Sequence, residues 1–219
     1  MSNAAARLVA SRDGAATREL LLAAAAREIH VHGFQAASLS RILAKTGVTK
    51  GALYHHFPSK RLLGYAVVDE CYAPALRKRW VDPLSEADVD SLQTLIEIIR
   101  DTARGMSRAD VLLGCPVNNL AQEMSPVDEG FRMRIEALFD EWRIATGAAL
   151  RRAQERGSIA PGVDARASAA FIVASLEGCV GMAKNGQSKE LLLMCGGGLI
   201  TYLQSLQNDP ERPKGNDGE

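Results

Sequence analysis

Cysteines and long apolar runs are scarce in this chain of 219 residues. Its four cysteines (Cys71, Cys115, Cys179, Cys195) lie far apart without a C-x-x-C pair, which argues against a zinc site and against a disulfide framework. The longest apolar run, residues 191–200, contains three glycines and is too short to span a membrane. The N-terminus also lacks the pattern of a secretion signal. These absences predict a cytoplasmic protein without a membrane segment.

Strand signals are equally scarce, because no stretch alternates apolar and polar residues between turn residues. Apolar residues recur instead at spacings of three and four, which predicts helices throughout and an all-α fold. The predicted helices cover about residues 17–32, 39–46, 50–57, 60–80, 89–104, 107–113, 116–124, 128–156, 164–185 and 189–206.

Net charge is zero over the whole chain but is unevenly distributed. Residues 1–65 hold nine Lys or Arg against three Asp or Glu, a net charge of +6, together with all four histidines. Residues 66–219 hold 17 against 23, a net charge of −6. This asymmetry indicates that the first segment meets a polyanion such as nucleic acid, although a chance surface distribution would give the same counts.

One stretch of the basic segment, residues 38–60, has the signals of two short helices joined by a tight turn. Ser38 is suited to cap the first helix, because its hydroxyl can accept from a free backbone N–H. Gly47 is suited to end that helix in the left-handed conformation. Thr49 can cap the second helix, and Pro58 ends it. Two helices joined by a short glycine-containing turn are the sequence form of a helix-turn-helix.

The residues in and around this stretch resemble the N-terminal domain of the TetR family of bacterial transcriptional repressors. The resemblance covers residues 17–63 and combines apolar, glycine, capping and basic positions at fixed spacing. The residues that carry it are Leu21-Leu22, Ala24-Ala25, Gly33-Phe34, Ser38, the run from Gly47 to Phe57 (GVTKGALYHHF) and Ser59-Lys60.

The resemblance implies that Lys50, Tyr54 and His55 face DNA from the second helix, the recognition helix. Lys50 can neutralise a phosphate or reach a base edge, and Gly51 lets the backbone approach the duplex. Thr49 can donate its hydroxyl to a phosphate. Ser38 and Lys60 flank these residues and would contact the DNA backbone, while Arg41 could reach a base edge or a phosphate. The predicted DNA-binding residues are Ser38, Arg41, Thr49, Lys50, Gly51, Tyr54, His55 and Lys60.

Other interpretations of these residues are weaker. Tyr54 could be a packing residue, and lysines are often merely solvated. Adjacent histidines point to different faces of a helix, so His55 and His56 do not predict a metal site. No metal triad, nucleophile motif or phosphate loop points to an enzyme, and no motif predicts a cofactor.

The resemblance also implies a homodimer that forms through the last two long helices. Independently, the helix predicted over residues 164–185 is rich in small residues, which allow close helix approach, although both helices could simply be internal core. A twofold protein would read a palindromic DNA operator with two recognition helices. The predicted domains are a DNA-binding domain in residues 1–65, a helical effector-binding and dimerisation domain in residues 66–206, and a disordered tail in residues 207–219.

The family further implies a pocket for a small-molecule effector, which the sequence does not identify. Residues 114–123 resemble a segment of a TetR subgroup in which, in some members, the cysteine senses reactive electrophiles. A sensing role for Cys115 competes with a packing role. Asn119 and Glu123 share a helix face and could point into a pocket or make hydrogen bonds between helices. Phe131 and Trp142 could line a pocket or belong to the core.

A repressor released by an effector is therefore the leading prediction. A redox or electrophile switch through Cys115 is the second possibility, an enzyme the third, and a structural DNA-binding protein without an effector the fourth.

Overall fold

The computed structural model describes residues 2–85 and 91–208, and every named element in those ranges is helical. The pairing of Ile159 with Gln207 is an isolated β-bridge and not part of a sheet. The predicted all-α class is confirmed. Contacts divide the chain into two compact units, of which one comprises Met1–Arg77 and Leu113–Leu138 and the other Lys78–Leu112 and Phe139–Glu219.

The first unit contains the helix-turn-helix stretch. Its helices are α1 (Ser2–Ala36), α2 (Leu39–Thr46), α3 (Lys50–His56), α4 (Lys60–Val67), a π-helical turn (Val68–Tyr72), α5 (Ala73–Leu76), α9 (Pro116–Met124) and the beginning of α10 (Glu129–Glu155). Helix α1 begins well before its predicted start at residue 17. The long helix predicted from residue 60 is divided into α-helical and π-helical segments around Pro74, as expected where proline removes a backbone donor.

An aromatic cluster in the first unit is centred on the buried Phe131. The ring of Phe131 in α10 lies 4.6 Å from that of Phe34 and 4.9 Å from that of Tyr65, measured between centroids. Gly64 of α4 makes room for both phenylalanines, because a Cβ atom there would lie 2.5 Å from Phe34 and 2.7 Å from Phe131. The Tyr65 hydroxyl donates to Asp128 at 2.5 Å. Packing of this cluster therefore fixes α4 against α10 within the unit.

The second unit contains α6 (Asp82–Ser85), α7 (Ser91–Gly105), α8 (Arg108–Leu113), the rest of α10, α11 (Ala165–Gly186) and α12 (Lys189–Ser205). Asp164 caps α11 through Arg166 N and Ala167 N, and Ser188 caps α12 through Leu191 N. Helix α12 packs on both α11 and α7. Lys189 joins α12 to the end of α7, since its Nζ donates to the carbonyls of Arg104 and Met106, both at 2.7 Å.

Two findings in the second unit differ from the expectations. Cys179 of α11 and Cys195 of α12 form a disulfide, so the argument from cysteine spacing against disulfides is wrong. Their separation of 16 residues has no diagnostic motif, and the pairing of the two helices alone brings them together.

Helix α11 is also long and apolar enough, by length and composition alone, to cross a membrane. Within the structure, 39% of its most apolar stretch is buried. Core helices of globular proteins pass the same test.

The end of the described chain is held in place. Ala160 N donates to Leu206 O and Asn208 N donates to Ser158 O, both at 3.0 Å. The predicted disordered tail began at residue 207, and its residues 209–219 lie outside the described part of the chain.

Candidate DNA-binding interface

Helix α2 is limited at both ends by the residues that the sequence indicated. The Ser38 hydroxyl accepts from Arg41 N at 3.4 Å, which makes Ser38 the N-cap. Gly47 ends the helix at a φ of 69°, and its N–H donates to Leu43 O at 2.9 Å. Ile42 buries the inner face of α2. These local contacts set the direction in which the chain enters α3.

Helix α3 presents one face to the interior of its unit and the other to solvent. The Thr49 hydroxyl accepts from Ala52 N at 3.2 Å, so Thr49 caps this helix as predicted. Leu53 and Phe57 are buried at 0% and 3% exposure. Lys50, Gly51, Tyr54 and His55 are all exposed. The buried anchors therefore orient α3 so that its outer face is free to meet a partner.

The outer face of α3 combines a cation with aromatic and imidazole rings. Lys50 Nζ lies 6.0 Å from the centroid of the Tyr54 ring, and Tyr54 is 41% exposed. An exposed tyrosine with a cation over its face keeps its hydroxyl available for hydrogen bonding. Cationic and hydrogen-bonding groups on one exposed helix face can contact phosphates and recognise base edges.

Gly51 lies between these side chains without filling any space inside the protein. A Cβ atom at this position would meet nothing within 4 Å, and the backbone is ordinary helix. The glycine is therefore not required by packing within the protein, and its predicted role in letting the backbone approach DNA stays a prediction.

A Gly51→Ala variant separates the needs of the fold from those of DNA binding. We expect unfolding free energy to rise by about 0.5–1 kcal/mol, because alanine is the better helix former. Affinity for operator DNA should fall at the same time, since the methyl group keeps the backbone away from the duplex. Thermal denaturation and a gel-shift titration check the two halves. Unchanged DNA affinity would mean that the backbone of α3 does not approach DNA closely.

Two predicted DNA contacts, Arg41 and Lys60, are engaged within the protein. Arg41 Nε donates to Glu28 at 2.5 Å and its terminal nitrogen to Ala36 O at 2.8 Å. Lys60 Nζ donates to Gln35 O at 2.9 Å. Burial lowers the pKa of Lys60, although Glu123 partly offsets that effect. Their roles toward DNA stay predictions, and both side chains have a structural role within the unit.

Glu28 is the most important residue of this region that the sequence analysis missed. It is fully buried, and its carboxylate accepts from Arg41 Nε, from Lys45 Nζ at 3.1 Å and from Ser38 N at 3.3 Å. One carboxylate of α1 is thus hydrogen-bonded to the N-cap of α2 (Ser38), to its first turn (Arg41) and to its last turn (Lys45). An acidic residue between the buried Ala25 and Ile29 was the available signal, because a buried carboxylate requires partners.

The residues predicted to line an effector site are divided between the two units. Cys115, Asn119, Glu123 and Phe131 belong to the first unit and Trp142 to the second. Phe131 is fully buried in the aromatic cluster, which is a core role. Cys115 is the half-buried residue before α9, and Asn119 Nδ2 donates to Leu113 O at 2.8 Å. An electrophile-sensing role for Cys115 stays a prediction.

Glu123 links α9 to the end of α1. Its two carboxylate oxygens accept from Phe34 N and Gln35 N, each at 2.8 Å. Gly33 precedes them at a φ of 77°, and a Cβ atom there would lie 2.8 Å from Glu123 Oε2. Glycine is therefore needed both for its backbone conformation and for the approach of the carboxylate. Glu123 makes the hydrogen bonds between helices that were the alternative to a pocket role.

Metal-binding clusters do not occur in the ranges that the structure describes, where no group of three or more His, Cys, Asp or Glu side chains converges. His55 and His56 lie side by side with ring centroids 5.3 Å apart, on a helix that offers no carboxylate to them. The geometry of the region is that of a helix-turn-helix protein with an exposed recognition helix.

Comparisons with known proteins lead from this class to a family. Residues 21–64 match the family described as "Bacterial regulatory proteins, tetR family", and residues 91–197 match "Transcriptional regulator LmrA/YxaF-like, C-terminal domain". The structure is similar to a TetR transcriptional regulator from Chloroflexus aurantiacus, with 32% identity and a TM-score of 0.79 over 90% of this chain and 98% of that one. The chain belongs to the TetR family of transcriptional regulators, and it is not an enzyme.

Two curated relatives show the same relationship at lower coverage. An uncharacterised HTH-type transcriptional regulator of Lactococcus lactis is 31% identical over 125 residues, which are 57% of this chain and 63% of that protein. The transcriptional regulator AcuR of Cereibacter sphaeroides is 27% identical over 175 residues, which are 78% of each chain. The chain thus spans less than two thirds of the first relative and more of the second.

Proposed function

We propose that this transcriptional regulator is a cytoplasmic repressor that binds a palindromic operator as a homodimer and leaves it when a small-molecule effector binds. The observation that carries the proposal is the outer face of α3, where Lys50, Gly51, Tyr54 and His55 are exposed above the buried anchors Leu53 and Phe57. Related proteins of this type are named as repressors, among them DhaR of a Mycobacterium species.

The homodimer is supported by exposed apolar and small residues on α11 and α12. Phe171 and Met182 of α11 are 52% and 58% exposed, and Met194 of α12 is 67% exposed. Gly178, Gly181, Gly197 and Gly198 lie on the same two helices with open space where a Cβ would be. Large apolar side chains next to glycines allow a second pair of helices to approach closely. We propose that this surface, the α11–α12 face, packs against its copy in a partner subunit.

A Gly178→Arg variant tests the α11–α12 face. A Cβ atom at this exposed position would meet nothing within 4 Å, so we expect the subunit to fold normally. In a dimer it would bury a charge without a partner, and we expect monomers at micromolar concentration together with loss of palindrome binding. Light scattering and gel shifts measure both. Gly105→Arg is the matched control, since Gly105 also faces open space but lies in α7. A dimeric Gly178→Arg protein would refute this interface.

The effector site is best supported in the second unit, around Trp142 and Thr146. Both residues are buried, at 1% and 0% exposure, one turn apart on α10. Trp142 Nε1 and Thr146 Oγ1 have no hydrogen-bond partner within residues 2–85 and 91–208. Buried polar groups are normally hydrogen-bonded, so these two atoms are suited to a guest molecule with an acceptor such as a carbonyl oxygen.

Fluorescence tests the effector site directly, because the only two tryptophans, Trp80 and Trp142, lie with ring centroids 4.8 Å apart. A carbonyl compound that releases the operator should change this emission. In Thr146→Val, which keeps the shape and removes the hydroxyl, its affinity should fall by about tenfold, a loss of about 1.4 kcal/mol. Release of the operator with unchanged emission and unchanged affinity in Thr146→Val would place the site elsewhere.

A further inference from the structure

We infer that Cys179 and Cys195 form a reversible redox site whose disulfide form holds α11 and α12 in register and strengthens the homodimer. The inference rests on the proposed dimerisation through the α11–α12 face. The two Cα atoms lie 5.6 Å apart, a spacing at which the bond forms without backbone movement. Each cysteine stands eight residues from the turn residue Gln187, which places the crosslink well within the helix pair.

The surroundings of the pair give its two sulfur atoms different access. Cys179 is 4% exposed and belongs to an apolar cluster with Ala103, Val111, Ala183 and Leu192, contributed by α7, α8, α11 and α12. Cys195 packs at the edge of that cluster and is only half-buried. A reagent from solution can therefore reach Cys195 first, and Cys179 is positioned to complete the reaction.

The chemistry of the site is thiol–disulfide exchange with a low-molecular-weight disulfide as oxidant. The Cys195 thiolate attacks the small disulfide, forms a mixed disulfide and releases one small thiolate. Cys179, as its thiolate, then attacks the Cys195 sulfur, closes the protein disulfide and releases the second small thiolate. Two protein thiols lose two electrons and two protons, and one small disulfide becomes two small thiols. An excess of the small thiol runs the same steps in reverse: two small thiols reduce the protein disulfide and become one small disulfide.

The redox role also rests on the cytoplasmic location proposed above for this regulator. Cytoplasmic disulfides in most organisms are transient and serve catalysis or redox sensing, because glutathione and thioredoxin systems keep thiols reduced. A regulator that binds DNA is exposed to that environment. The disulfide is thus suited to respond to the redox state of the cytoplasm. In a secreted protein the same pair would form a permanent structural disulfide.

The position of the pair connects its redox state to the α11–α12 face. Cys179 adjoins Gly178, and Cys195 adjoins Met194, so each cysteine is the chain neighbour of a residue on that face. In the disulfide form the two helices that carry the face are covalently fixed to each other. In the dithiol form only packing and the short turn at Gln187 align them. A face held in its binding arrangement associates more tightly, because less conformational freedom is lost on binding.

The experiment uses the full-length protein equilibrated in buffers with graded ratios of glutathione to glutathione disulfide. Thiols are then trapped by an alkylating reagent under denaturing conditions and counted by intact mass. We expect two alkylated cysteines, Cys71 and Cys115, in the oxidised protein and four in the reduced protein. Sedimentation equilibrium should give a dimer dissociation constant about tenfold lower for the oxidised form.

Two double variants identify the responsible pair. Cys179→Ala with Cys195→Ala should remove the redox dependence of dimerisation, while Cys71→Ala with Cys115→Ala should keep it. Four alkylated cysteines at every ratio, two at every ratio, or equal dissociation constants in the two forms would each overturn the inference. Protein that is dimeric and binds a palindrome equally in both forms refutes only the redox role. Protein that is monomeric in both forms refutes the proposed homodimer as well.

Discussion

Operator affinity will fall by about 100-fold or more when Lys50 and Tyr54 are both replaced by alanine. Each side chain lies on the exposed face of α3, and a lost phosphate or base contact typically costs about 1–3 kcal/mol. A homodimer would lose both contacts in each of its two subunits. Neither side chain is part of the core, so the fold should be unaffected. Fluorescence anisotropy with a DNA sequence selected from a random pool measures the change.

Salt dependence and a matched variant make this test specific. The logarithm of the association constant should fall less steeply with the logarithm of salt concentration in the double variant, since fewer counterions are released. Lys78→Ala removes an exposed lysine from the second unit and should leave affinity and slope unchanged. Wild-type affinity in the double variant would show that α3 is not the recognition helix.

The Glu28→Gln variant is expected to lose about 2–4 kcal/mol of unfolding free energy, because a fully buried carboxylate with two cationic partners becomes neutral. Glutamine keeps the shape but cannot accept charge-assisted hydrogen bonds from both Arg41 and Lys45. Urea denaturation at fixed protein concentration measures the loss. Glu19→Gln, at an exposed position of α1, is the control and should change stability by less than about 0.5 kcal/mol.

Unfolding at acid pH distinguishes the contribution of the charge of Glu28 to stability from the contribution of its shape. Burial acts to raise the pKa of Glu28, but hydrogen bonds from Arg41, Lys45 and the Ser38 amide outweigh burial and hold it below the ordinary 4.5. A lowered folded-state pKa contributes stability that is present above the unfolded-state value and is lost as pH falls through the folded-state value. The advantage of wild type over Glu28→Gln should therefore begin to shrink as pH falls below about 4.5 and continue to shrink as pH falls through the lower folded-state pKa. A constant difference down to the acid limit would mean that Glu28 does not act through its charge.

Local signals explain why so much of the DNA-binding region could be predicted from the sequence. Ser38 and Thr49 cap helices through hydrogen bonds to backbone groups three residues away, and Gly47 ends a helix by its own conformation. Both partners of such an interaction lie within a few residues of each other, so a single sequence is enough to predict it. The outward-facing residues of α3 were implied by the family resemblance, and the burial of Leu53 and Phe57 agrees with that orientation.

Contacts between distant residues explain what the sequence could not show. Glu28 reaches forward 13 residues to Arg41, and Glu123 reaches back to the backbone of Phe34 and Gln35. Cys179 and Cys195 meet only because α11 and α12 lie side by side. The sequence separation of these residues does not identify them as partners, since tertiary packing alone decides which side chains meet.

The carboxylate of Glu123 makes the amide protons of Phe34 and Gln35 natural reporters of α9. Both amides lie just beyond Gly33, and each donates to one oxygen of the same carboxylate. Their exchange with solvent deuterium requires the carboxylate to leave, so the protection factors of these two amides measure the free energy of that opening. Hydrogen-exchange spectra recorded with and without an effector would thus follow, at two backbone positions, an opening event that no binding curve resolves.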